Sequence, residues 1–225
     1  MQTPQRHLSV FVLAGSLLTG CAAFGDRQPG IAKVEELVAR IERVHVEVEL
    51  ARDAAAAARE GIRSFASTSF QGDRVLAMKG VLDQVADSKA RAGALRQQVG
   101  SMRLAADPVF SQWRLQLDSI ASADLRARSE ERMRRTRDAY DSIAVVAVPM
   151  LDDLDAFNRR LSDLSLFLNL DHNPTALATI GGDLAELDRA GKTLGAVFDR
   201  CLVAAQSYLA AVAPTPGDVA AEPIR

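Results

Sequence analysis

The sequence predicts an all-α protein: an elongated antiparallel bundle of about four long helices that pack along coiled-coil-like seams. Three observations predict this fold. Apolar residues recur at alternating spacings of three and four over most of the chain, which is the repeat of packed helices. Aromatic residues make up only 5% of the 225 residues, a composition typical of narrow helical interfaces rather than broad sheets. No strand-like alternation of apolar and polar residues competes with this repeat.

The first predicted helix covers residues 31–67. Its apolar residues keep the three-and-four spacing without a polar interruption, in a seam formed by Val34, Leu37, Ile41, Val44, Val48, Ala51, Ala55, Ala58, Ile62 and Phe65. Residues 54–58 are consecutive alanines, a strong helix-forming run. Because these side chains are small, we expect a partner helix to approach closely here.

The second predicted helix covers residues 73–105, with Asp73 as its N-cap, and a separate helix follows over 108–120. The seam of the first piece consists of Met78, Val81, Val85, Ser88, Ala92, Leu95, Val99 and Met102. Asp107 followed by Pro108 is typical of a new helix start, with Asp as the cap and Pro in the first turn. The seam keeps its phase across this point, so a kink is expected between the two pieces.

The third predicted helix runs from near Ser122 to about Asn169 and contains Pro149. Proline removes one backbone hydrogen bond and clashes with the preceding turn. The seam keeps its phase here too, which favours a kink over a break. Residues 143–150 are apolar on all sides. This predicts either the most enclosed part of the bundle or an outer face that meets a partner helix.

The fourth predicted helix ends near residue 213 and is expected to begin near Gly182, because two adjacent glycines weaken its first turns. The connections between the four helices are short, which implies that neighbouring helices are antiparallel. The helical bundle domain is therefore predicted over 31–213. Residues 214–225 are rich in Pro and Ala and are predicted to be a disordered tail.

Residues 1–20 are predicted to be a signal peptide. Arg6 and His7 precede an apolar run of eleven residues, 8–18. This run is too short to span a bilayer, which needs about 20 residues. It ends in Leu18-Thr19-Gly20-Cys21, which resembles the lipobox of bacterial lipoproteins.

This resemblance implies cleavage before Cys21 and attachment of fatty acyl chains to that cysteine. Several acyl chains would make the anchor effectively permanent. Residues 21–30 would then be a lipidated tether. Ala22 stands where an Asp tends to retain Gram-negative lipoproteins at the inner membrane, so the outer membrane is the expected location. An ordinary signal peptide with a chance cysteine, or an uncleaved anchor, are the alternatives.

No group of residues predicts catalysis, and the chain is expected not to be an enzyme. Cys201 lies on a seam and is interpreted as a small apolar side chain. Neither His45 nor His172 has a second histidine or a Glu-x-x-His partner at ligand spacing, so no metal site is predicted. Motifs for a cofactor are absent as well. The formal net charge of −2 gives no general basic field that would bind nucleic acid.

A cluster of arginines occurs within residues 126–137 and consists of Arg126, Arg128, Arg132, Arg134, Arg135 and Arg137. One interpretation is a solvated helix face, balanced by the acidic residues Asp124, Glu130, Glu131 and Asp138. The other is contact with an anionic surface, either lipid headgroups or an acidic cell-wall polymer.

Residues 107–140, together with the leucine-rich end of the third helix at 164–173, resemble a family of proteobacterial lipoproteins that is catalogued as a domain of unknown function. The matching residues are Phe110, Trp113, Leu125, Ser129, Glu130 and Leu168. The resemblance covers about 31–212, although the first helix matches mainly in composition. It implies a helical, coiled-coil-like architecture and an envelope location, and no activity.

The expected function is that of a membrane-anchored envelope lipoprotein with a non-enzymatic role as a scaffold, spacer or partner-binding module. The expected location is the periplasmic face of the outer membrane, and the expected partners are the membrane and an envelope protein. Binding of anionic lipid or cell-wall polymer through the arginines is the alternative. The oligomeric state is left open.

Overall fold

The structure, a computed structural model, describes residues 29–67, 70–171 and 173–212. It consists of the helices α1 (Pro29–Ala66), α2 (Arg74–Leu117), α3 (Ala123–Leu170), α4 (Pro174–Thr179) and α5 (Gly181–Val212). Within these ranges there is no strand. The predicted all-α bundle of about four long helices is confirmed, and the six-residue helix α4 is an addition to it.

The four long helices form a bundle in which neighbours contact one another in the order α1, α2, α3, α5 and back to α1. Ion pairs show that α1 and α5 are antiparallel. Arg52 pairs with Asp199 at 3.5 Å, whereas Arg59, further along α1, pairs with Asp188, earlier in α5, at 3.8 Å. With 48 residues, α3 is about 72 Å long. The bundle is therefore elongated.

The predicted seams form the core. Every residue of the α1 seam from Leu37 to Phe65 is buried, and the α2 seam from Met78 to Met102 is buried as well. Ala51, Ala54, Ala55 and Ala58 of α1 are buried, whereas Ala56 and Ala57 are exposed, and α1 and α2 share the most extensive contact in the bundle. Burial of these apolar side chains is the main stabilising term of the fold.

Polar side chains cap the helices where the turns require it. The Asp73 carboxylate accepts hydrogen bonds from the backbone N–H groups of Val75 (2.8 Å) and Leu76 (3.1 Å), which confirms the predicted cap of α2. The Ser122 hydroxyl accepts from the Leu125 N–H at 3.4 Å and starts α3. Such caps satisfy backbone donors that have no partner within the helix.

The predicted division of the second helix at Pro108 is wrong, because α2 continues through Pro108 to Leu117. Proline costs the helix one backbone hydrogen bond. The flanking residues Ala106, Val109 and Phe110 are buried and keep both sides of the proline packed on the core. Their packing outweighs the local preference for a helix start. α3 also continues through Pro149, and the prediction that this helix does not break there is confirmed.

One further expectation needs correction. The stretch 143–150 is not the most enclosed part of the bundle, because Val145 is 71% exposed while Ile143 and Ala147 on its inner side are fully buried. That its outer face meets a partner helix stays a prediction. The predicted start of the fourth helix near Gly182 is confirmed, since α5 begins at Gly181, and a separate short helix, α4, ends before it at Thr179. The side chain of Asn173 caps α4 through the Ala176 N–H at 2.9 Å.

Candidate functional site

The predicted lipid-attachment residue Cys21 lies outside the described residues, as do the predicted signal peptide and the tail 214–225. The structure does place the start of α1, at Pro29. This start, the turn between α2 and α3, and the end of α5 lie at one end of the bundle, because neighbouring long helices are antiparallel. We call it the proximal end. The opposite end holds the α1–α2 turn and α4.

The arginine cluster begins at the proximal end. The first six residues of α3, 123–128, are all exposed, so the start of this helix rises beyond the four-helix core. It is held against α2 by a hydrogen bond from Trp113 Nε1 to Ser129 Oγ of 3.1 Å. Arg126 folds back and donates to the carbonyl oxygen of Ile120 through Nε (3.0 Å) and Nη2 (2.6 Å).

Most of the other arginines pair with acidic residues of their own helix. Arg128 pairs with Asp124 at 2.6 Å, and Arg135 pairs with Glu131 at 3.0 Å. Glu131 also accepts from Arg134. Arg137 pairs with Asp141 at 3.3 Å. Within the described parts of the chain, Arg132 alone of the six has no side-chain hydrogen bond or ion pair.

These pairs favour the solvated-face interpretation, although the partners differ in part from those expected. Of the four acidic residues expected to balance the arginines, Asp124 and Glu131 form ion pairs with them, whereas Glu130 and Asp138 form none within the described residues. Asp141, which was not expected, pairs with Arg137. Exposed ion pairs on a helix contribute little, about 0–1 kcal/mol each. An anionic surface could therefore compete for these arginines.

Three of the six residues that carry the family resemblance, Phe110, Trp113 and Ser129, lie at the contact between α2 and α3. Phe110 is buried and packs against Tyr140 with ring centroids 5.8 Å apart, and the Arg137 guanidinium lies 4.9 Å from the centre of the Phe110 ring. Trp113 and Ser129 form the hydrogen bond described above. These residues therefore have a structural role, whereas Leu125 and Glu130 are exposed.

Cys201 is fully buried, as its seam position predicts. Burial raises the pKa of its thiol to about 11, so the nucleophilic thiolate is scarce at neutral pH. Burial also raises the pKa of Tyr208 to about 12. Among the described residues, no group of three or more His, Cys, Asp or Glu side chains is arranged to hold a metal ion.

A buried polar pair between α2 and α3 was not predicted from the sequence. Ser88 Oγ donates to Asn158 Oδ1 at 2.7 Å, and Asn158 Nδ2 donates to the Ser88 carbonyl oxygen at 3.5 Å. Ser88 lies on the predicted seam of α2, but the apolar spacing does not indicate its partner on α3. Both residues are buried, and the pair fixes the register of the two helices.

A groove of about 370 Å³ lies between α3 and the α4–α5 junction. Phe167 and Ile180 line it, together with the ion-paired Arg160 and Glu186. The hydrogen bond from Arg160 holds the pKa of the Glu186 carboxyl below its usual value. Arg160 and Glu186 neutralise each other, whereas Asp163 and Asp183, which also line the groove, take part in no ion pair within the described residues.

A family model described as "Protein of unknown function (DUF2959)" matches residues 26–212. No curated protein and no solved structure matches the chain. None of the helices in the described ranges is long and apolar enough to cross a membrane.

Proposed function

The chain belongs to the DUF2959 family of proteins of unknown function, and we propose that it is an envelope lipoprotein, anchored by lipid on Cys21, whose helical bundle has a non-enzymatic scaffold, spacer or partner-binding role. The location that we propose is the periplasmic face of the outer membrane.

The observation that carries the proposal is the position of Cys21. It directly follows an apolar run and two small residues, which is the arrangement that lipid attachment requires. Helix α1 begins only eight positions later, at Pro29. Eight residues span at most about 28 Å when fully extended. A lipid on Cys21 would therefore keep the proximal end close to the membrane surface.

The scaffold role is supported by the shape of the bundle. Its long helices extend away from the proximal end, so the opposite end would lie tens of ångströms from the membrane. Exposed leucine and valine side chains occur on all four long helices, including Leu50, Leu104, Val145 and Val203. These faces offer contact area to a partner protein.

Replacement of Cys21 by serine is expected to abolish incorporation of labelled fatty acid, because serine has no thiol to form the thioether bond that carries the lipid. Cys201→Ala is the matched control and should be labelled like the unmodified protein, because Cys201 is fully buried in the bundle. Labelling followed by mass analysis of the mature N-terminus measures both variants. Equal labelling of the Cys21→Ser variant would contradict the proposal.

The partner-binding role has its own test. The mature protein, used to capture material from envelope extracts, is expected to recover a protein partner or cell-wall material. Recovery of neither would count against the scaffold role and leave the lipid anchor unaffected.

A second candidate function is binding of an anionic surface by the arginine cluster. The observation that favours it is location: the cluster starts on the exposed first turns of α3, at the proximal end. A tether on Cys21 would bring these turns to the lipid headgroups. Arg132 is exposed and has no acidic partner in the described part of the chain, so its charge is available.

Replacement of Arg132, Arg134 and Arg135 together by glutamine is expected to remove co-sedimentation of the protein with anionic liposomes or sacculi at low salt, because three charges are lost. Replacement of Arg189 and Arg200, exposed arginines of α5, is the control and should change sedimentation less. Unchanged sedimentation of the triple variant would reject this function.

A further inference from the structure

The groove of about 370 Å³ between α3 and the α4–α5 junction lies at the end of the bundle that is opposite the proximal end. The apolar side chains of Leu164, Phe167 and Ile180 line it. Carboxylates stand on both of its sides, Asp163 on α3 and Asp183 on α5. The groove therefore combines apolar surface with negative charge.

The two carboxylates have no basic partner in the described part of the chain, although both are exposed. Arg160, the arginine that lines the groove, pairs with Glu186. Arg159 lies one turn before Asp163 but forms no ion pair within the described residues. Beyond these arginines, residues 161–188 contain five acidic residues and neither Lys nor Arg. The groove is thus left with two negative charges that are available to an occupant.

An exposed apolar face continues from the groove along the last turns of α3. Leu166, Phe167 and Leu170 lie three, four and seven positions after Asp163, a spacing that places all four residues on one side of the helix. Leu166 is 58% exposed and Leu170 is 77% exposed, and neither lines the groove. We call Asp163, Leu166, Phe167, Leu170 and Asp183 the distal patch.

The groove part of the distal patch is complementary to a basic side chain. Lysine and arginine have an apolar stem and a cationic head. The stem would pack on Phe167, and the head would lie between the carboxylates of Asp163 and Asp183 as a charge-assisted hydrogen-bond donor. Charges of opposite sign across an interface favour the correct partner and disfavour an anionic one. The occupant of the groove is therefore expected to be cationic.

The two exposed leucines require apolar side chains in the same occupant. A free small cation would fill the groove and leave Leu166 and Leu170 in water. An amphipathic helix presents side chains at spacings of three and four, and such helices bind to apolar surfaces of partner proteins through these positions. A helix that carries a basic residue next to apolar ones would cover the whole distal patch.

We propose that the distal patch docks an amphipathic helical segment of a partner protein, with a lysine or arginine between Asp163 and Asp183 and apolar side chains on Leu166 and Leu170. This inference rests on the proposed partner-binding role and names the class of partner. An anionic membrane is not complementary to the distal patch, because the charges available there are negative.

Binding of a synthetic amphipathic helix of leucine and lysine to the full chain in non-ionic detergent, measured by fluorescence anisotropy, tests the charges. Asp163→Asn and Asp183→Asn together should weaken this binding about tenfold. The control pair Asp152→Asn and Asp153→Asn removes the same charge from exposed positions of α3 outside the distal patch and should bind like the unmodified chain. Equal affinity of the two double variants would overturn the proposal.

The effect of the charges has to be separated from an effect on folding. Asp183 lies in the first turn of α5, where a negative charge stabilises the helix. Asp163→Asn alone leaves that turn unchanged and should weaken peptide binding about threefold or more, with an unchanged helical circular dichroism signal. Unchanged binding by Asp163→Asn would also overturn the proposal.

The apolar part of the distal patch distinguishes a protein segment from a free cation. Leu170→Gln should weaken peptide binding severalfold, whereas Leu104→Gln, which changes a similarly exposed leucine of α2, should not. Spermidine, which has positive charge but no apolar side chains, should displace the peptide only in large excess. Equal effects of the two leucine variants, or spermidine binding as tight as that of the peptide, would refute docking of a protein segment.

Capture from envelope extracts separates this inference from the proposed function. A partner that the unmodified chain recovers should be lost with Asp163→Asn and Asp183→Asn and retained with the control pair at 152 and 153. Equal recovery by both double variants would refute the distal patch as the docking site and leave the scaffold role standing. Recovery of no partner by the unmodified chain would count against the partner-binding role and, with it, against this inference.

Discussion

Replacement of Phe198 by alanine is expected to lower the free energy of unfolding by about 3–5 kcal/mol. Phe198 is 1% exposed and belongs to the core cluster that joins the long helices. The substitution removes the transfer free energy of the ring and leaves a cavity that the surrounding helices fill only in part. Since whole domains are stable by about 5–15 kcal/mol, this one change would remove a large share of the stability.

Urea unfolding, followed by the helical circular dichroism signal, measures this effect. The control is Val203→Ala, which changes an apolar residue of the same helix that is 61% exposed. Exposed substitutions usually change stability by less than about 0.5 kcal/mol. Equal losses for Phe198→Ala and Val203→Ala would mean that the inner face of α5 has been assigned incorrectly.

Replacement of Asn158 by aspartate is expected to destabilise the bundle by several kcal/mol at pH 7, about 3–5 kcal/mol. Asn158 is 5% exposed and its partner Ser88 is fully buried. The new side chain has nearly the same shape, and its protonated form can replace the amide as a donor to the Ser88 carbonyl. The ionised form would be a buried carboxylate without a basic partner.

The loss should therefore depend on pH in a defined direction. Burial raises the pKa of the new carboxyl group above its value of about 3.9 in the unfolded chain. The folded variant is consequently close to the unmodified protein below pH 4 or so, and loses stability as the pH rises through the raised pKa. The quantity to measure is the difference in unfolding free energy between variant and unmodified protein at each pH.

Asn169→Asp is the matched control, because Asn169 is an exposed asparagine on the same helix. Its stability difference should stay small between pH 4 and pH 7. A similarly small, pH-independent difference for Asn158→Asp would show that position 158 is accessible to water, and the buried pair with Ser88 would then have to be abandoned.

The spacing of apolar residues was sufficient to predict which face of each long helix is buried, because that spacing depends on the helix alone. It did not predict the full width of the buried face. In α3, Leu151, Asn158 and Ser165 are buried beside the predicted seam, at intervals of seven. A helix with neighbours on two sides buries a third position in each heptad, and two of these three residues are polar. Their burial follows from the assembled bundle.

At Pro108 the sequence predicts a helix boundary that the structure does not have. The pair Asp107-Pro108 carries the local signal of a helix start, yet the helix continues through it. Local preference is worth a few kcal/mol at most, and burial of Ala106, Val109 and Phe110 on both sides exceeds it.

Among the candidate sites, too, some features could be predicted from the sequence and others could not. The burial of Cys201 followed from its seam position. The partners of the six arginines could not be predicted individually, because each depends on side-chain conformation and on neighbours such as Phe110 and Ile120. Lipid attachment at Cys21 remains a prediction from the sequence, since that residue lies outside the described ranges.

The proximal end holds both the start of α1 and the end of α5. A pulling force applied between these two points would act at one end of the contact between the two helices. It would separate the two helices one turn at a time from that end, instead of shearing the whole length of one helix along the other. Contacts opened in sequence resist less force than contacts that must break together. A load carried between the two chain ends would thus separate α5 from α1 first, whereas a load between Pro29 and the α1–α2 turn would lie along the axis of α1 and be carried by its full length.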